Sequence, residues 1–349
     1  MTPATETDRP AAVDTEAREL LYDLVSIPSP SGEEAAAAER LAAYFETHGR
    51  EAWLDEVGNV RAPADDAVLL TSHVDTVPGA IPVEVRDGVL WGRGSVDATG
   101  PLAAMAVAAV ETGVSFVGVV GEEEDSRGAR HLIAEREAPA AVLNGEPSGW
   151  DGITLGYRGM LAGTYVHASE SGHTSRPENN AIQDAIAWWS AVEERFAGDE
   201  YDPVFEQVTA KPVAVEGGAS PDGLSVEATM DVQLRVPPDR TVDGVREAAD
   251  ADLAGGTVRW HDAIPPVMES PRTAVARAMR GAIREVGGEP RLLRKTGTAD
   301  VNLYADAWGC PTASYGPGDS SLDHTPDEHL ALAEFDRAVR VLTEFPDRL

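Results

Sequence analysis

Histidines and carboxylates follow short apolar runs of this sequence, where they could bind divalent metal ions. His73 follows the apolar run 67–70, which is typical of a buried strand, and Asp75 comes two positions later. Side chains two positions apart on a strand point to the same face. We therefore expect the Asp75 carboxylate to accept a hydrogen bond from the ring N–H of His73, which would fix the tautomer of a ligand histidine.

Further candidate ligands lie in separate segments of the chain. Asp97 comes after a glycine-rich turn and before an apolar helical run, so its carboxylate could emerge from a loop and bridge two cations. Ions such as zinc take imidazole and carboxylate ligands, and catalytic sites leave a position for water. The other candidates are Glu122, Glu123 and Glu124 after the strand-like run 115–120, Glu146 after the run 141–144, and His324 near the carboxyl end.

Five motifs carry a resemblance to a known family. They are SHVDTVPG from Ser72, GRGSVDATGP from Gly92, GEEED from Gly121, GEPS from Gly145 and DHTPDEH from Asp323. In this order they resemble the metallopeptidase and aminoacylase family that contains acetylornithine deacetylase, succinyl-diaminopimelate desuccinylase and carboxypeptidase G. The resemblance begins at Ser26 and covers nearly the whole chain.

The resemblance implies a two-metal hydrolase. It implies that the cofactors are two divalent ions, zinc or cobalt, and that Asp75 belongs to the catalytic site. Carried over position by position, it makes His73 and Glu146 ligands of one ion, Glu123 and His324 ligands of the other, Asp97 the bridge and Glu122 the general base. A non-catalytic binding protein would have no need of a base that is not a ligand.

The sequence has three consecutive glutamates, Glu122 to Glu124, and only two of them can correspond to the glutamate pair of the family. Taken alone, three acids in so acidic a chain are typical of a solvated loop. In the family, four residues separate the second glutamate of a pair from a small-residue pair. Here that small-residue pair is Gly128 and Ala129, and counting back selects Glu122 and Glu123. Glu124 is then expected to be a bystander.

The order of apolar segments predicts an α/β fold. Helices are expected over 15–25 and 31–49, with Ser31 as the N-cap of the second. Short strands then alternate with helices up to residue 156, which is typical of a three-layer domain with a mostly parallel sheet. Ligand sites of such sheets gather beyond the carboxyl ends of the strands.

The pattern changes in the middle of the chain. Between residues 157 and 266 the expected order is β-α-β-β-α-β, which is typical of a ferredoxin-like domain. We therefore expect residues 1–156 and 267–349 to form one catalytic domain, with 157–266 inserted as a lid and dimerisation domain.

The inserted segment and its surroundings contain candidates for substrate contact. By resemblance, His173 would stabilise the developing oxyanion and could serve the neighbouring subunit of a homodimer; the plain alternative is a loop histidine. Arg235 could bind a carboxylate through its planar guanidinium, or it could form a salt bridge within the lid. Thr298, Asp300 and Asn302 resemble the family's substrate-recognition positions.

The composition limits the environment and the partners. The chain has 60 acidic and 28 basic residues, a net charge of −32, and its only lysines are Lys211 and Lys295. Such a surface repels nucleic acid and anionic membranes, and it favours a salt-rich cytoplasm over ordinary cytosol. The single cysteine, Cys310, cannot form an internal disulfide, and the polar amino terminus is unlike a signal peptide or membrane anchor.

Within the family, the segments 145–159 and 295–304 look most like hydrolases that release lysine or ornithine from an amino-group carrier protein. That carrier is therefore the expected substrate partner. The alternatives are acetylornithine deacetylase or succinyl-diaminopimelate desuccinylase, a dipeptidase or carboxypeptidase, and a non-catalytic metal or amino-acid binding protein.

Overall fold

A computed structural model describes residues 9–173, 175, 177–199 and 201–349 of the chain. The described residues form two compact units. The first contains the residues up to Leu155, Glu269–Leu293 and Ala299–Leu349, and the second contains Gly156–Met268 and Arg294–Thr298. The second unit thus interrupts the first. It also takes in the return segment 294–298, which the sequence-based boundaries place with the catalytic domain.

The helices and strands alternate in the first part of the chain and change order in the second unit. Up to the unit boundary they are α1 (Glu16–Val25), α2 (Ala35–Thr47), β1 (Trp53–Leu54), β2 (Val60–Ala62), β3 (Asp65–His73), β4 (Glu84–Arg86), β5 (Val89–Trp91), α3 (Thr99–Thr112), β6 (Val114–Val119), α4 (Arg127–Glu135), β7 (Val142–Gly145) and β8 (Gly152–Tyr157). Next come β9 (Gly159–Glu170), α5 (Ala181–Arg195), β10 (Thr209–Ala219), β11 (Ser225–Val236), α6 (Val242–Asp250), β12 (Thr257–Ile264) and β13 (Val267–Met268). The chain ends with α7 (Ala274–Glu285), β14 (Arg291–Lys295), α8 (Asp300–Trp308), β15 (Thr312–Ser314), β16 (His329–Ala331) and α9 (Leu332–Glu344).

The central sheet of the first unit has the strand order β1-β2-β6-β3-β7-β15-β8, and β14 also pairs with β8. The four middle strands, β6, β3, β7 and β15, run parallel to one another, whereas the outer pairs are antiparallel. The middle strands are buried along most of their length because both faces of a parallel sheet are covered. Every residue of β6 is buried.

Helix α3 fixes the middle of this unit. Its residues from Thr99 to Ala109 are all buried, so the helix is apolar on every side, as expected for a core helix. It ends at Gly113, whose left-handed φ of 73° favours glycine. Although α3 is apolar, no helix in the described ranges is long and apolar enough to cross a membrane.

The second unit is a separate antiparallel sheet with its own core. Its strand order is β10-β11-β9-β12, and α5 and α6 complete the β-α-β-β-α-β order. Burial alternates along β11, since one face of the sheet packs on the helices. Tyr165 stacks on Trp188 in this core, with 5.0 Å between ring centroids. The predicted α/β fold with a parallel centre and an inserted domain is confirmed.

One predicted helix start is wrong. Helix α2 begins at Ala35 with Glu34 as its N-cap, and no side chain caps it. The Ser31 hydroxyl instead donates a hydrogen bond to the carboxylate of Asp75, at 2.7 Å. A serine before a helical run is a good capping signal, but a buried carboxylate elsewhere in the fold is a stronger acceptor for its hydroxyl.

Candidate metal centre

The candidate ligands lie where neighbouring parallel strands of the first unit end. His73 is the last residue of β3, the glutamate run follows β6, and Glu146 follows β7. Since β6, β3 and β7 are adjacent and parallel, their carboxyl ends meet at one edge of the sheet. The sheet topology alone therefore gathers three of the five motifs.

A tight turn positions the fourth candidate, Asp97. Gly94 has φ 81°, and a Cβ at this position would lie 2.7 Å from side-chain atoms of Thr76 and Thr99, so only glycine fits. Val96 beyond it is fully buried. Asp97 thus enters the site from a loop that is fixed on both sides, directly before α3.

Asp97 lies between the two candidate histidines. Its Oδ1 is 3.2 Å from His73 Nε2 and its Oδ2 is 3.3 Å from His324 Nε2. His324 Nε2 is also 3.0 Å from Glu123 Oε1. One ligand atom each from His73, Asp97 and Glu123 lie within 4.8 Å of one another. One carboxylate that faces two imidazoles, with a second carboxylate beside it, is a donor set that suits borderline divalent ions.

Asp75 acts differently from the prediction. His73 Nδ1 is 2.9 Å from the backbone carbonyl oxygen of Asp75, whereas the Asp75 carboxylate is 3.7 Å from it, beyond hydrogen-bond distance. The orienting acceptor is therefore the carbonyl. The fully buried carboxylate instead accepts the backbone N–H groups of Glu122 and Glu123, both at 3.1 Å. These hydrogen bonds offset the cost of burying the carboxylate away from water.

The three glutamates of the run differ in exposure. Glu124 is exposed, Glu122 is half-buried, and the Glu123 side chain is 8% exposed and reaches His324. This arrangement fits the register in which Glu122 and Glu123 are the functional pair. Glu146 is buried, its charge contributes to raising the pKa of Glu122, and it accepts a hydrogen bond from Asn144 at 3.3 Å.

Burial and the clustered carboxylates raise the pKa values of several residues of the site. Burial raises the pKa of Glu123 to about 7, and it raises the pKa of Glu122 well above its ordinary value. The hydrogen bond that His324 donates to the Asp97 carboxylate raises the pKa of His324 to about 9. Burial alone would lower the pKa of His73, but Asp97 and the surrounding carboxylates raise it well above normal. A divalent cation would neutralise the same charges, so the donor set fits a metal ion in both chemistry and charge.

Two predicted substrate residues lie inside the first unit. Asn302 is 1% exposed, and its Oδ1 accepts the backbone N–H of Ala299 at 3.1 Å, which caps α8. Asp300 is also 1% exposed, and its two oxygens have no hydrogen-bond partner among the described residues. Neither side chain offers a surface to a ligand, so for both of them the structure points to a role in the protein interior.

The remaining predicted residues belong to the second unit. His173 is exposed, and its Nδ1 lies 2.8 Å from the Ser175 hydroxyl. Arg235 is half-buried and donates to the Thr298 hydroxyl at 3.1 Å. No carboxylate in the described parts of the chain pairs with Arg235, and burial lowers the pKa of its guanidinium. Among the described residues, Arg235 therefore does not form the salt bridge within the lid that was the alternative prediction. Its guanidinium can donate hydrogen bonds to an anionic group.

Sequence reasoning missed the buried Glu328, whose carboxylate accepts the backbone N–H groups of Val96 and Asp97. It also missed that Ser31 contacts Asp75. Glu328 stands in the motif DHTPDEH and Ser31 at a predicted helix start, but neither pattern indicates which acidic or hydroxyl side chain points inward. An acid within a few positions of a candidate ligand was the available signal.

The chain and its fold match a known class of proteins. The chain belongs to the peptidase family M20/M25/M40, whose profile it matches over residues 69–348. The prediction of a metal-dependent hydrolase is confirmed at this level. A solved structure, the M20-family metallo-carboxypeptidase Sso-CP2 of Sulfolobus solfataricus, has the same fold, with a TM-score of 0.79, 20% identity and coverage of 95% of this chain and 98% of that one.

Two curated relatives are more similar in sequence. The LysW-lysine hydrolase of Deinococcus radiodurans is 42% identical, over 95% of this chain and 97% of its own length. A protein named putative LysW-lysine/LysW-ornithine hydrolase, of Thermococcus kodakarensis, is 38% identical over 95% of this chain and 91% of its own. The similarity is therefore of whole chains rather than of a shared domain.

Proposed function

We propose that this protein hydrolyses the amide bond that joins lysine or ornithine to an amino-group carrier protein. The observation that carries the proposal is the 42% identity, over nearly the whole of both chains, to a LysW-lysine hydrolase. The bond in question joins a side-chain carboxyl group of the carrier's terminal glutamate to the α-amine of the amino acid. The products are the free amino acid and the carrier carboxylate, as for any hydrolysis of an amide.

The cluster in the first unit would perform this reaction. His73 and Glu146 would hold one divalent ion, Glu123 and His324 the other, and Asp97 would bridge them; zinc and cobalt suit these donors. When bound, the ions supply Lewis-acid polarisation of the carbonyl group and lower the pKa of water. The chain's own chemistry is then a proton transfer. Glu122 takes a proton from the attacking water and delivers it to the departing amine.

Burial prepares Glu122 for this exchange, since desolvation and the charges of Glu146 and other acids raise the pKa of its carboxyl group. A base whose pKa lies nearer to neutrality can both accept and release a proton during one turnover. Asp75 holds the backbone of Glu122 and Glu123 through two hydrogen bonds. The base and a metal ligand are thus positioned by one buried carboxylate.

The second unit would contribute substrate contacts. The α-carboxylate of the linked amino acid remains free in the substrate, and Arg235, half-buried and without a carboxylate partner among the described residues, is suited to bind it. Thr298 is hydrogen-bonded to Arg235 and would orient its guanidinium. His173 would stabilise the oxyanion of the tetrahedral state.

We also propose that the chain acts as a homodimer, joined through its second unit. Strand β10 lies at the edge of the four-stranded sheet, and Val213 and Val215 on it are 57% and 66% exposed. An exposed edge strand with apolar side chains is suited to pairing with another chain. The net charge of −32 supports a salt-rich cytoplasm as the working environment, without nucleic-acid or membrane partners.

The test compares substrates on metal-loaded protein in molar salt. We expect kcat/KM to be highest for carrier-linked lysine or ornithine, and lower for N-acetylornithine, succinyl-diaminopimelate and dipeptides. Clear preference for a free small acyl amino acid would contradict the carrier substrate while leaving the hydrolase assignment in place. Binding of these compounds without any turnover would contradict an enzymatic role altogether.

A further inference from the structure

Glu328 is a deeply buried acid of the first unit that has no part in the proposed chemistry. It is 1% exposed. A carboxylate this deeply buried is costly unless its charge is paired and its oxygens are hydrogen-bonded. Its Oε1 accepts the backbone N–H groups of Val96 and Asp97, at 2.9 and 3.0 Å, and its Oε2 accepts Arg93 Nη1 at 2.8 Å. Each oxygen is therefore engaged.

Arg93, the partner of Glu328, connects two further segments. Its Nε donates to the carbonyl oxygen of Gly79 at 3.1 Å, and its Nη1 donates to the carbonyl oxygen of Thr325 at 3.2 Å. Gly79 lies in the loop that follows the strand of His73, and Thr325 comes directly after His324. The Arg93–Glu328 pair thus touches all three segments that contribute to the two-histidine part of the cluster.

The geometry at Asp97 shows what this pair fixes. Glu328 holds the backbone N–H of Asp97, and the Asp97 carboxylate must then reach both His73 and His324, at 3.2 and 3.3 Å. A bridging ligand tolerates little displacement, because both of its oxygens have fixed partners. Sites of this kind need placement to within about 0.5 Å. A buried ion pair gives the loop that rigidity.

We propose that Glu328 is a positioning residue that, together with Arg93, sets the bridging Asp97 between His73 and His324. The proposal rests on the proposed function only in taking this cluster as the metal site. Residues that orient ligands in this way typically change metal affinity or activity by about 10- to 100-fold when altered.

The test uses metal binding and backbone exchange rather than activity. In E328Q, one end of the side chain becomes an amide that cannot pair with the Arg93 charge. We expect zinc affinity, measured by competition with a chromophoric chelator, to fall by about 10- to 100-fold. In the metal-free protein, amide hydrogen exchange at Val96 and Asp97 should accelerate at least about tenfold, because charge-assisted hydrogen bonds are weakened.

The matched control is D327N, which removes the same charge from the neighbouring, exposed carboxylate. Its zinc affinity should stay within about twofold of the parent. The double variant R93M/E328Q removes the unpaired buried cation that E328Q leaves behind, so it separates lost positioning from a buried charge and provides a second test if E328Q folds poorly. Persistent weak binding in the double variant supports the proposal.

Three results would overturn it: unchanged zinc affinity in E328Q, a loss equalled by D327N, or full recovery in the double variant. None of these readouts involves a carrier or an amino acid. A wrong substrate assignment would therefore leave them unaffected, and a failure of the proposal would leave the substrate assignment to be judged by its own experiment.

Discussion

Glu123 and His324 lie 201 positions apart in the chain, yet Glu123 Oε1 and His324 Nε2 are 3.0 Å from each other. All residues of the second unit lie between them in the sequence. The contact forms because β15 returns to the parallel sheet beside β7 and brings the carboxyl-terminal part of the chain back to the ligand edge. Two distant motifs thus share one cluster, which is the arrangement that a shared metal site requires.

Glu122→Gln should separate the base from the ligands. The amide keeps the size of the side chain but cannot take a proton, so turnover should fall at least about a hundredfold, the low end of general-base contributions. Metal content should stay at two ions per chain. Steady-state rates and elemental analysis of the purified variant measure both. Glu124→Gln changes an exposed residue further along the run; it is the control and should remain near the parent rate. Near-normal activity of Glu122→Gln would contradict the assignment of Glu122 as the base and would point to Glu124.

Asp75→Asn should disturb the glutamate pair more than the histidine. The carboxylate accepts two backbone N–H groups, and an amide presents one donor group where an acceptor is needed. We expect a loss of about 10- to 100-fold in turnover and faster amide exchange at Glu122 and Glu123. Ser31→Ala removes only one hydrogen bond to the same carboxylate and should cost less. Equal losses in the two variants would contradict the positioning role of Asp75.

The ligand-bearing segments could be predicted from the sequence because the sheet topology determines where most of them lie. His73 and Glu146 each end or follow an apolar strand, and adjacent parallel strands gather such residues at one edge of the sheet. The motif order supplied the rest by resemblance. The helix and strand order of the second unit was equally readable, since its period changes from helical to alternating.

The contacts between motifs could not be predicted. Period-two reasoning placed the Asp75 carboxylate beside His73, but β3 ends at His73 and the chain turns there, so the carbonyl group takes that position. Ser31 has the pattern of a helix cap and is used elsewhere. Glu328 was passed over because an acid in an acidic chain is expected on the surface, whereas a backbone turn and one arginine hold it inside.

Asp300 gives a prediction for stability against pH. Burial raises the pKa of its carboxyl group from 3.8 to about 6. Between these values the folded chain keeps a proton that the unfolded chain has released, so its contribution to the free energy of unfolding falls as pH rises from about 4 to 6. Above about 6 both states are ionised, and the cost stays constant at up to about 3 kcal/mol.

Asp300→Asn removes this titration. The difference in the free energy of unfolding, variant minus parent, should therefore increase from pH 4 to 6 and then level off. Urea unfolding of chelator-treated protein at constant salt measures it. Asp306→Asn, an exposed acid on the same helix α8, should differ from the parent by less than about 0.5 kcal/mol throughout. A difference for Asp300→Asn that is flat or falls with pH would contradict the buried, proton-holding carboxyl group.

His173 should act on the site of the partner subunit if the proposed dimer is right. His173→Ala and Glu122→Gln would each be inactive alone, because one lacks the oxyanion donor and the other the base. Mixed dimers of the two should regain activity, since one of their two sites is complete. Differently tagged chains allow the mixed dimer to be purified and assayed. No recovery in verified mixed dimers would exclude action across subunits.

The most direct test of the account follows the oxygen of the attacking water. Metal-loaded protein is incubated with carrier-linked lysine in heavy-oxygen water, and the products are weighed intact by mass spectrometry. We expect free, unlabelled lysine, and a carrier whose terminal glutamate has gained one heavy oxygen atom, because water attacks the carrier's carbonyl group. Glu122→Gln should release almost none. An unlabelled carrier with released lysine, or an uncleaved carrier beside rapidly hydrolysed N-acetylornithine, would contradict the account.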